Sequence, residues 1–293
     1  MNISFYLHDE LNSTLIEQQL LWLKSRYTMI SSEDVKEFYY GGKSLKNSCH
    51  ITIDDGWRST YDVIFPLLKK HNIPATIFVS PKITNDGTNF WYHEYKGYDA
   101  EKIKSILINK GFFTEKVRLL PLDLVFKEML IDDVNEVLEL YRSEFGVSLK
   151  ERGFVNPAEL IEMDKSGLVE IGAHTMTHPI LANETDTRSE REIIQSVESL
   201  SEILGHKVTT FAYPNGLEDL DFGKRETATL EKIGIELAYT VDPGVLNAKE
   251  NPLLISRTCS ISRLKLGRLG LMLPSLHDQV KPRQEIRKHK IER

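Results

Sequence analysis

The chain has 293 residues, 41% hydrophobic and 27% charged, with 17 Gly and 11 Pro, a composition that excludes disordered, collagen-like and disulfide-scaffold proteins and supplies apolar mass for a large core. No run approaches the roughly 18 apolar residues that cross a bilayer, and residues 1–9 show neither a basic n-region nor a signal-type apolar stretch, so the expected address is the cytoplasm. The formal charge of -6 is uneven: residues 257–293 hold ten Lys and Arg against three Asp and Glu, which leaves an acidic body that disfavours non-specific nucleic-acid binding.

Short apolar, β-rich runs recur at 3–7, 50–53, 75–79, 168–172, 208–212, 237–241 and 254–261. Helical patterns lie among them at 14–26, 59–71, 156–165, 187–204 and 222–233, several opened by Ser, Thr or Asn. That alternation predicts parallel strands joined by helices in a single α/β domain spanning 1–293. Residues 82–152 break the rhythm and are too long for a plain loop, so they are expected to form an inserted helical segment. Phe90, Trp91, Tyr92, Tyr95 and Tyr98 in that segment read as local core, with a ligand platform as the alternative. A basic tail is expected over 274–293 as a solvated charge run. Before it, Ile261, Leu264, Leu266, Leu269, Leu271, Met272 and Leu273 interleave with Arg263, Lys265 and Arg268. That pattern suits a barrel-covering helix or, alternatively, peripheral contact with an anionic membrane at its inner face. Cys49 and Cys259 are expected as two buried thiols.

Two clusters carry chemistry. Ile51-Thr52-Ile53-Asp54-Asp55-Gly56-Trp57 places two carboxylates where an apolar strand runs into a turn. In parallel α/β folds active sites are built at that end of a strand. Adjacent carboxylates repel unless a cation sits beside them, whereas a solvated Asp-Asp-Gly turn needs none. The second cluster, Ile171-Gly172-Ala173-His174-Thr175-Met176-Thr177-His178, ends a strand on two imidazoles four positions apart. On one helical turn such a pair faces the same way and can bind one ion, although satisfied surface histidines are the plainer use. Joined to an aspartate from another strand end, the pair gives a two-His, one-carboxylate site of the type catalytic zinc uses.

These residues resemble the NodB-type polysaccharide deacetylases, carbohydrate esterase family four, whose first motif reads Thr-Phe-Asp-Asp-Gly and whose second reads His-Ser/Thr-x-x-His. Thr52 to Gly56 match the first with Ile53 in place of phenylalanine, and His174 to His178 match the second. Phe65-Pro66-Leu67-Leu68-Lys69-Lys70 and Ile73-Pro74-Ala75-Thr76-Ile77-Phe78 read like the family's first helix and second strand. The resemblance implies a distorted (β/α)7-type barrel with a helical insertion. It also implies one divalent ion, zinc by preference, on Asp55, His174 and His178, with Asp54 as the general base.

The family's third motif, usually an Arg and a Pro-Tyr, stands here as Phe211-Ala212-Tyr213-Pro214-Asn215-Gly216. Ala212 replaces the arginine, and Asn215 replaces a tyrosine that gives mainly its backbone N–H to the oxyanion, a task Asn215 can perform through its own main chain. Arg257 is the local substitute for the arginine or, alternatively, a surface ion pair. Phe5-Tyr6-Leu7-His8-Asp9 resembles the start of the permuted poly-N-acetylglucosamine deacetylase branch, and implies His8 as general acid, with a surface histidine as the alternative. The implied activity removes an N-acetyl or related acyl group from an amino sugar in a glycan or a lipid- or nucleotide-linked precursor. A metal-dependent amidohydrolase for a small non-sugar amide, or an inactive glycan-binding relative, are the competing readings.

Overall fold

The computed structural model describes residues 1–7 and 12–258, together with 283 and 286. Its elements in chain order are β1 (Ile3–Tyr6), α1 (Ser13–Lys24), β2 (Thr28–Ile30), α2 (Ser32–Tyr39), β3 (Ser48–Ile53), α3 (Phe65–His71), β4 (Ala75–Val79), α4 (Pro81–Asp86), α5 (Trp91–Glu94), α6 (Ala100–Asn109), α7 (Leu122–Phe126), α8 (Ile131–Phe145), α9 (Pro157–Lys165), β5 (Val169–Ala173), α10 (Asp186–Leu204), β6 (Thr210–Ala212), α11 (Lys224–Ile233) and β7 (Leu237–Tyr239). The strands pair in parallel in the order β1-β3-β4-β5-β6-β7, with β2 beside the first half of β3 and β4 beside its second half.

The sheet curls until its edges meet across residues 255–258. Tyr239 bridges Ile255, and Phe5 bridges Thr258, whose N–H donates to the Ser4 carbonyl at 2.8 Å. The expected strand at 254–261 is thus present as these two bridges, and its last three residues lie outside the described ones. The result is the (β/α) barrel that the sequence implied.

Alternation along each strand sorts the two faces of this curled sheet. Cys49, Ile51 and Ile53 of β3 join Ala75, Ile77 and Val79 of β4 in the core that also takes in α1, α3, α9 and α10. The intervening residues face the enclosed side, where His50 bonds Thr76 at 3.0 Å and Tyr239 at 3.3 Å. Both faces are covered, so β3 and β4 are buried along their whole length, as parallel strands between two layers require.

β2 and α2 are additions to the sequence reading. Ser31 caps α2 in a reciprocal box with Asp34, a signal that its sequence carries but that the charged run around it obscures. Between Ser59 and His71 the helix opens with a wide π turn over Thr60–Ile64. Pro66 has no N–H to give the i−4 carbonyl, and the wider turn accommodates it.

Helices α5 to α8 pack a core of their own around Trp91, Ile103, Phe113, Phe126, Val137 and Tyr141. Tyr95 and Tyr98 pack against that core, but Phe90 belongs to a separate cluster with Phe154, against which Trp57 and Tyr92 pack. The insertion's aromatics therefore divide between a structural core and a group that reaches the strand ends. Ile286 is also fully buried in the insertion core, and Arg283 is fully buried too. At these two positions the stretch expected as a solvated tail is buried, and the rest of 274–293 lies outside the described residues. Cys49 is buried, which pushes its thiol pKa up, whereas Cys259 lies outside the described residues, as does the amphipathic stretch 261–273. Among the described residues no helix is long and apolar enough to cross a membrane.

Candidate metal centre

Asp54 and Asp55 leave the carboxyl end of β3 in a sharp turn that requires Gly56. Gly56 has φ +66°, and a Cβ there would lie 2.7 Å from Val79 Cγ1. The turn is stapled by the stretch before α9, where Val155 N–H donates to the Gly56 carbonyl at 2.9 Å and Arg58 N–H to the Gly153 carbonyl at 2.8 Å. Asp55 itself takes φ +72°, a left-handed conformation uncommon outside glycine and asparagine.

His174 follows β5 directly, and its N–H donates to the Val79 carbonyl at the end of β4. The two histidines converge through a bend and not through the helical turn suggested by their spacing. Thr175 and His178 both have positive φ, and the Thr175 hydroxyl donates to the His174 carbonyl while accepting the His178 N–H at 3.0 Å. Two groups that sequence spacing could not identify hold this bend. Ser80 donates to the His174 carbonyl at 2.8 Å. Buried Glu192 of α10 accepts both the N–H and the hydroxyl of Thr177 at 2.9 Å. Of the seven described non-glycine residues with positive φ, Asp55, Thr175, His178 and Asn215 lie in the loops of this site. Such strain persists where surrounding bonds over-determine the backbone, and it collects at functional sites.

The turn and the bend bring Asp55, His174 and His178 together, each offering one ligand atom within 4.8 Å of the others. Asp55 Oδ1 lies 3.5 Å from Nε2 of both imidazoles. His174 Nδ1 is 2.7 Å from the Ala212 carbonyl, an arrangement in which Nδ1 holds the proton and Nε2 is left as the donor toward the centre. The Trp57 indole N–H binds the other Asp55 oxygen at 3.3 Å. Burial raises the Asp55 carboxyl, but the His174 and His178 imidazoles beside it take it down to about 2. Burial works against a proton on His174, yet Asp55 and Asp54 hold it above the ordinary imidazole value. Burial and His174 push His178 down to about 4.

The centre thus holds a partly buried carboxylate whose inner oxygen is buried with no hydrogen-bond partner among the described residues. Two imidazole nitrogens face that oxygen. A carboxylate oxygen buried in this way needs a cation, and this donor set of one carboxylate oxygen and two ring nitrogens suits a divalent metal with an open position. The residues present fit the ion that the sequence implied.

Asp54 points to a different partner. Arg257 donates to both of its oxygens, Nη1 to Oδ1 at 2.7 Å and Nη2 to Oδ2 at 2.9 Å, while Nε donates to the Thr240 carbonyl at 2.6 Å. The guanidinium lies 4.7 Å from the Tyr6 ring centroid. This pair is buried, 1% and 8% exposed on the two sides, and so is not the surface ion pair of the alternative reading. This guanidinium reaches Asp54 from after β7, while the carbonyl of Ala212, the residue expected to stand in the motif arginine's place, accepts from His174.

Asn215 sits in the loop after β6 with φ +58°, a conformation asparagine adopts more readily than most residues, and its N–H is bonded to no described acceptor. His8 lies outside the described residues. The chain leading to it is placed, since Leu7 N–H donates to the Thr52 carbonyl at 2.9 Å, two residues before Asp54.

The chain belongs to the polysaccharide deacetylase family, whose family model it matches over residues 41–237. It is 41% identical over 66 residues to a poly-β-1,6-N-acetyl-D-glucosamine N-deacetylase of Staphylococcus aureus, a match that spans 22% of this chain and 22% of that relative. Among solved structures it resembles the deacetylase domain of BpsB from Bordetella bronchiseptica, with a TM-score of 0.59 at 18% identity over 88% of this chain and 95% of the other. It is similar also to the deacetylase PplD of Streptococcus pyogenes, with a TM-score of 0.58 at 18% identity over 88% and 90%. At that identity the two structures establish the shared fold.

Proposed function

We propose that this protein is a metal-dependent N-deacetylase that hydrolyses the acetamide of an N-acetylated amino sugar within a glycan. The observation that carries the reading is the joining of two chemistries at one end of the sheet: a carboxylate with two imidazoles within 4.8 Å, and beside it an aspartate gripped by a buried arginine. Family membership supports this reaction class, and the staphylococcal relative's substrate suggests a polymer of N-acetylglucosamine.

Asp55, His174 and His178 would hold the ion, for which zinc is the proposed identity, and it would supply Lewis-acid polarisation of the acyl carbonyl and acidify the attacking water. Asp54 takes the proton that this water gives up as its oxygen bonds to the acyl carbon. Arg257 keeps both Asp54 oxygens in one plane and compensates their charge, so the base is held in a single orientation. The Asn215 main-chain N–H donates to the oxygen that gains charge as the carbonyl carbon becomes tetrahedral. When the C–N bond breaks, the amine must leave with a proton, and His8 is the proposed donor. The products are acetate and a free amino sugar. The bidentate Asp54–Arg257 pair also answers the inactive, glycan-binding alternative, which rested on the missing motif arginine.

Acetate release tests the reading. The zinc-loaded chain is expected to free acetate and amine in equal amounts from β-1,6-linked N-acetylglucosamine oligomers. A nucleotide-linked N-acetyl sugar, the form of substrate that a cytoplasmic enzyme would meet, and a small non-sugar amide complete the panel. Acetate from the nucleotide sugar alone would move the substrate to a precursor. Release from the non-sugar amide alone, or from none with metal bound, would overturn the proposal.

A further inference from the structure

Three consecutive residues of the insertion grip the metal centre from outside. Phe90 and Tyr92 each place a ring centroid 5.2 Å from the His178 ring, and between them the Trp91 indole N–H donates to the His178 carbonyl at 3.3 Å. Tyr92 stacks on Phe90 at 5.1 Å and lies 6.2 Å from Trp57, whose indole N–H is bound to Asp55. Farther along, the insertion also holds the loop that follows His178. The Asn183 side-chain amide donates to the carbonyls of Lys127 and Met129 at 2.8 and 3.1 Å, and Glu184 accepts the Ile131 N–H at 2.8 Å.

This loop needs holding. His178 has φ +60°, a conformation that costs of order 1–3 kcal/mol for a non-glycine residue and persists only when its surroundings enforce it. The Trp91 bond falls on the carbonyl of that same residue. Asp55, at φ +72°, has the same requirement, and the Trp57 indole N–H binds its side chain at 3.3 Å.

We infer that Trp91 and Tyr92 are positioning residues for the metal centre: Trp91 fixes the left-handed backbone of His178, and the Tyr92 ring, edge to face with the His178 imidazole, holds that ring's orientation. The insertion, distant in sequence from the Asp-Asp motif and the histidine motif, thereby sets how tightly the site holds its cation. This inference rests on the reading of Asp55, His174 and His178 as ligands of one ion. Partners that orient ligands are worth about 10- to 100-fold in metal affinity.

Zinc affinity measured on the full chain by competition with a chromogenic chelator, with no substrate present, tests it. Trp91→Phe deletes the indole N–H and keeps a ring; Tyr92→Leu removes the ring that faces the His178 imidazole. Each is expected to weaken zinc binding about 10- to 100-fold, measured well below the melting midpoint of the zinc-free variant, which the lost packing lowers. Tyr95→Leu, which takes away a ring stacked on Trp91 at 6.1 Å inside the insertion core, is expected to lower that midpoint too but to leave the affinity as it is. Wild-type affinity in both Trp91→Phe and Tyr92→Leu would overturn the inference while leaving the ligand assignment standing. An equal loss in Tyr95→Leu would also overturn it, because the insertion would then act only as a packed body. A wild-type chain that binds no zinc would overturn the ligand assignment itself and this inference with it.

Discussion

Replacing Asp54 with Asn is expected to lower the rate of deacetylation by about 10²- to 10⁴-fold, the usual worth of a general base, while the metal content stays at the wild-type level. The substitution keeps the shape of the side chain and spares Asp55, His174 and His178, so a loss of turnover cannot be traced to a lost ion. It has a second consequence. Arg257 is 1% exposed and binds both Asp54 oxygens. An amide offers it one acceptor and turns an N–H₂ toward the other guanidinium nitrogen, which leaves a buried cation short of its counter-charge. The variant should therefore unfold at lower denaturant than the wild type, and its kinetics belong well below its melting midpoint. Undiminished turnover in folded, metal-loaded Asp54→Asn protein would place the base elsewhere.

Arg283→Met is expected to cost about 3–5 kcal/mol of stability, read by denaturant unfolding, because it strands two carboxylates in the interior. Arg283 forms ion pairs with Glu128 of the insertion and with Asp221 in the loop after Asn215, and all three are at most 1% exposed. Burial already raises the Asp221 carboxyl, with Arg283 offsetting part of that, and Asp221 also accepts the Leu217 N–H at 3.0 Å. The triple variant Arg283→Met/Glu128→Gln/Asp221→Asn should recover most of the loss, since no buried charge is then left alone. Unchanged stability in Arg283→Met would mean that this arginine is solvated after all.

The barrel was legible in the sequence because its strands are buried on both faces. Continuous apolar runs such as Ala75–Val79 announce themselves, and the helices between them carry caps like Asn156, whose side chain closes a box with Glu159. β2 was not legible: three residues, Thr28–Ile30, only the last of them buried, make too short a run to stand out. The proposed ligand residues were legible because an Asp-Asp-Gly turn and a paired-histidine stretch both follow apolar strands, a coincidence that neither cluster carries alone. How they converge was not. The bend at 175–178 depends on two left-handed residues and on Glu192 from α10, and local spacing encodes neither. Arg257 could be proposed from its residue type but not placed, since it stands 203 positions from Asp54. Trp91, Tyr92 and Arg283 act through contacts of 62 to 156 positions' separation or across elements of unrelated pattern, where a sequence shows only an aromatic cluster and a basic tail.

The account depends first on one cation being held by Asp55, His174 and His178, and elemental analysis after loading with zinc and exhaustive dialysis tests that most directly. The wild-type chain is predicted to retain one zinc per molecule and the His174→Ala/His178→Ala variant, folded by circular dichroism, to retain none. Stoichiometric zinc in the double variant would contradict the assignment.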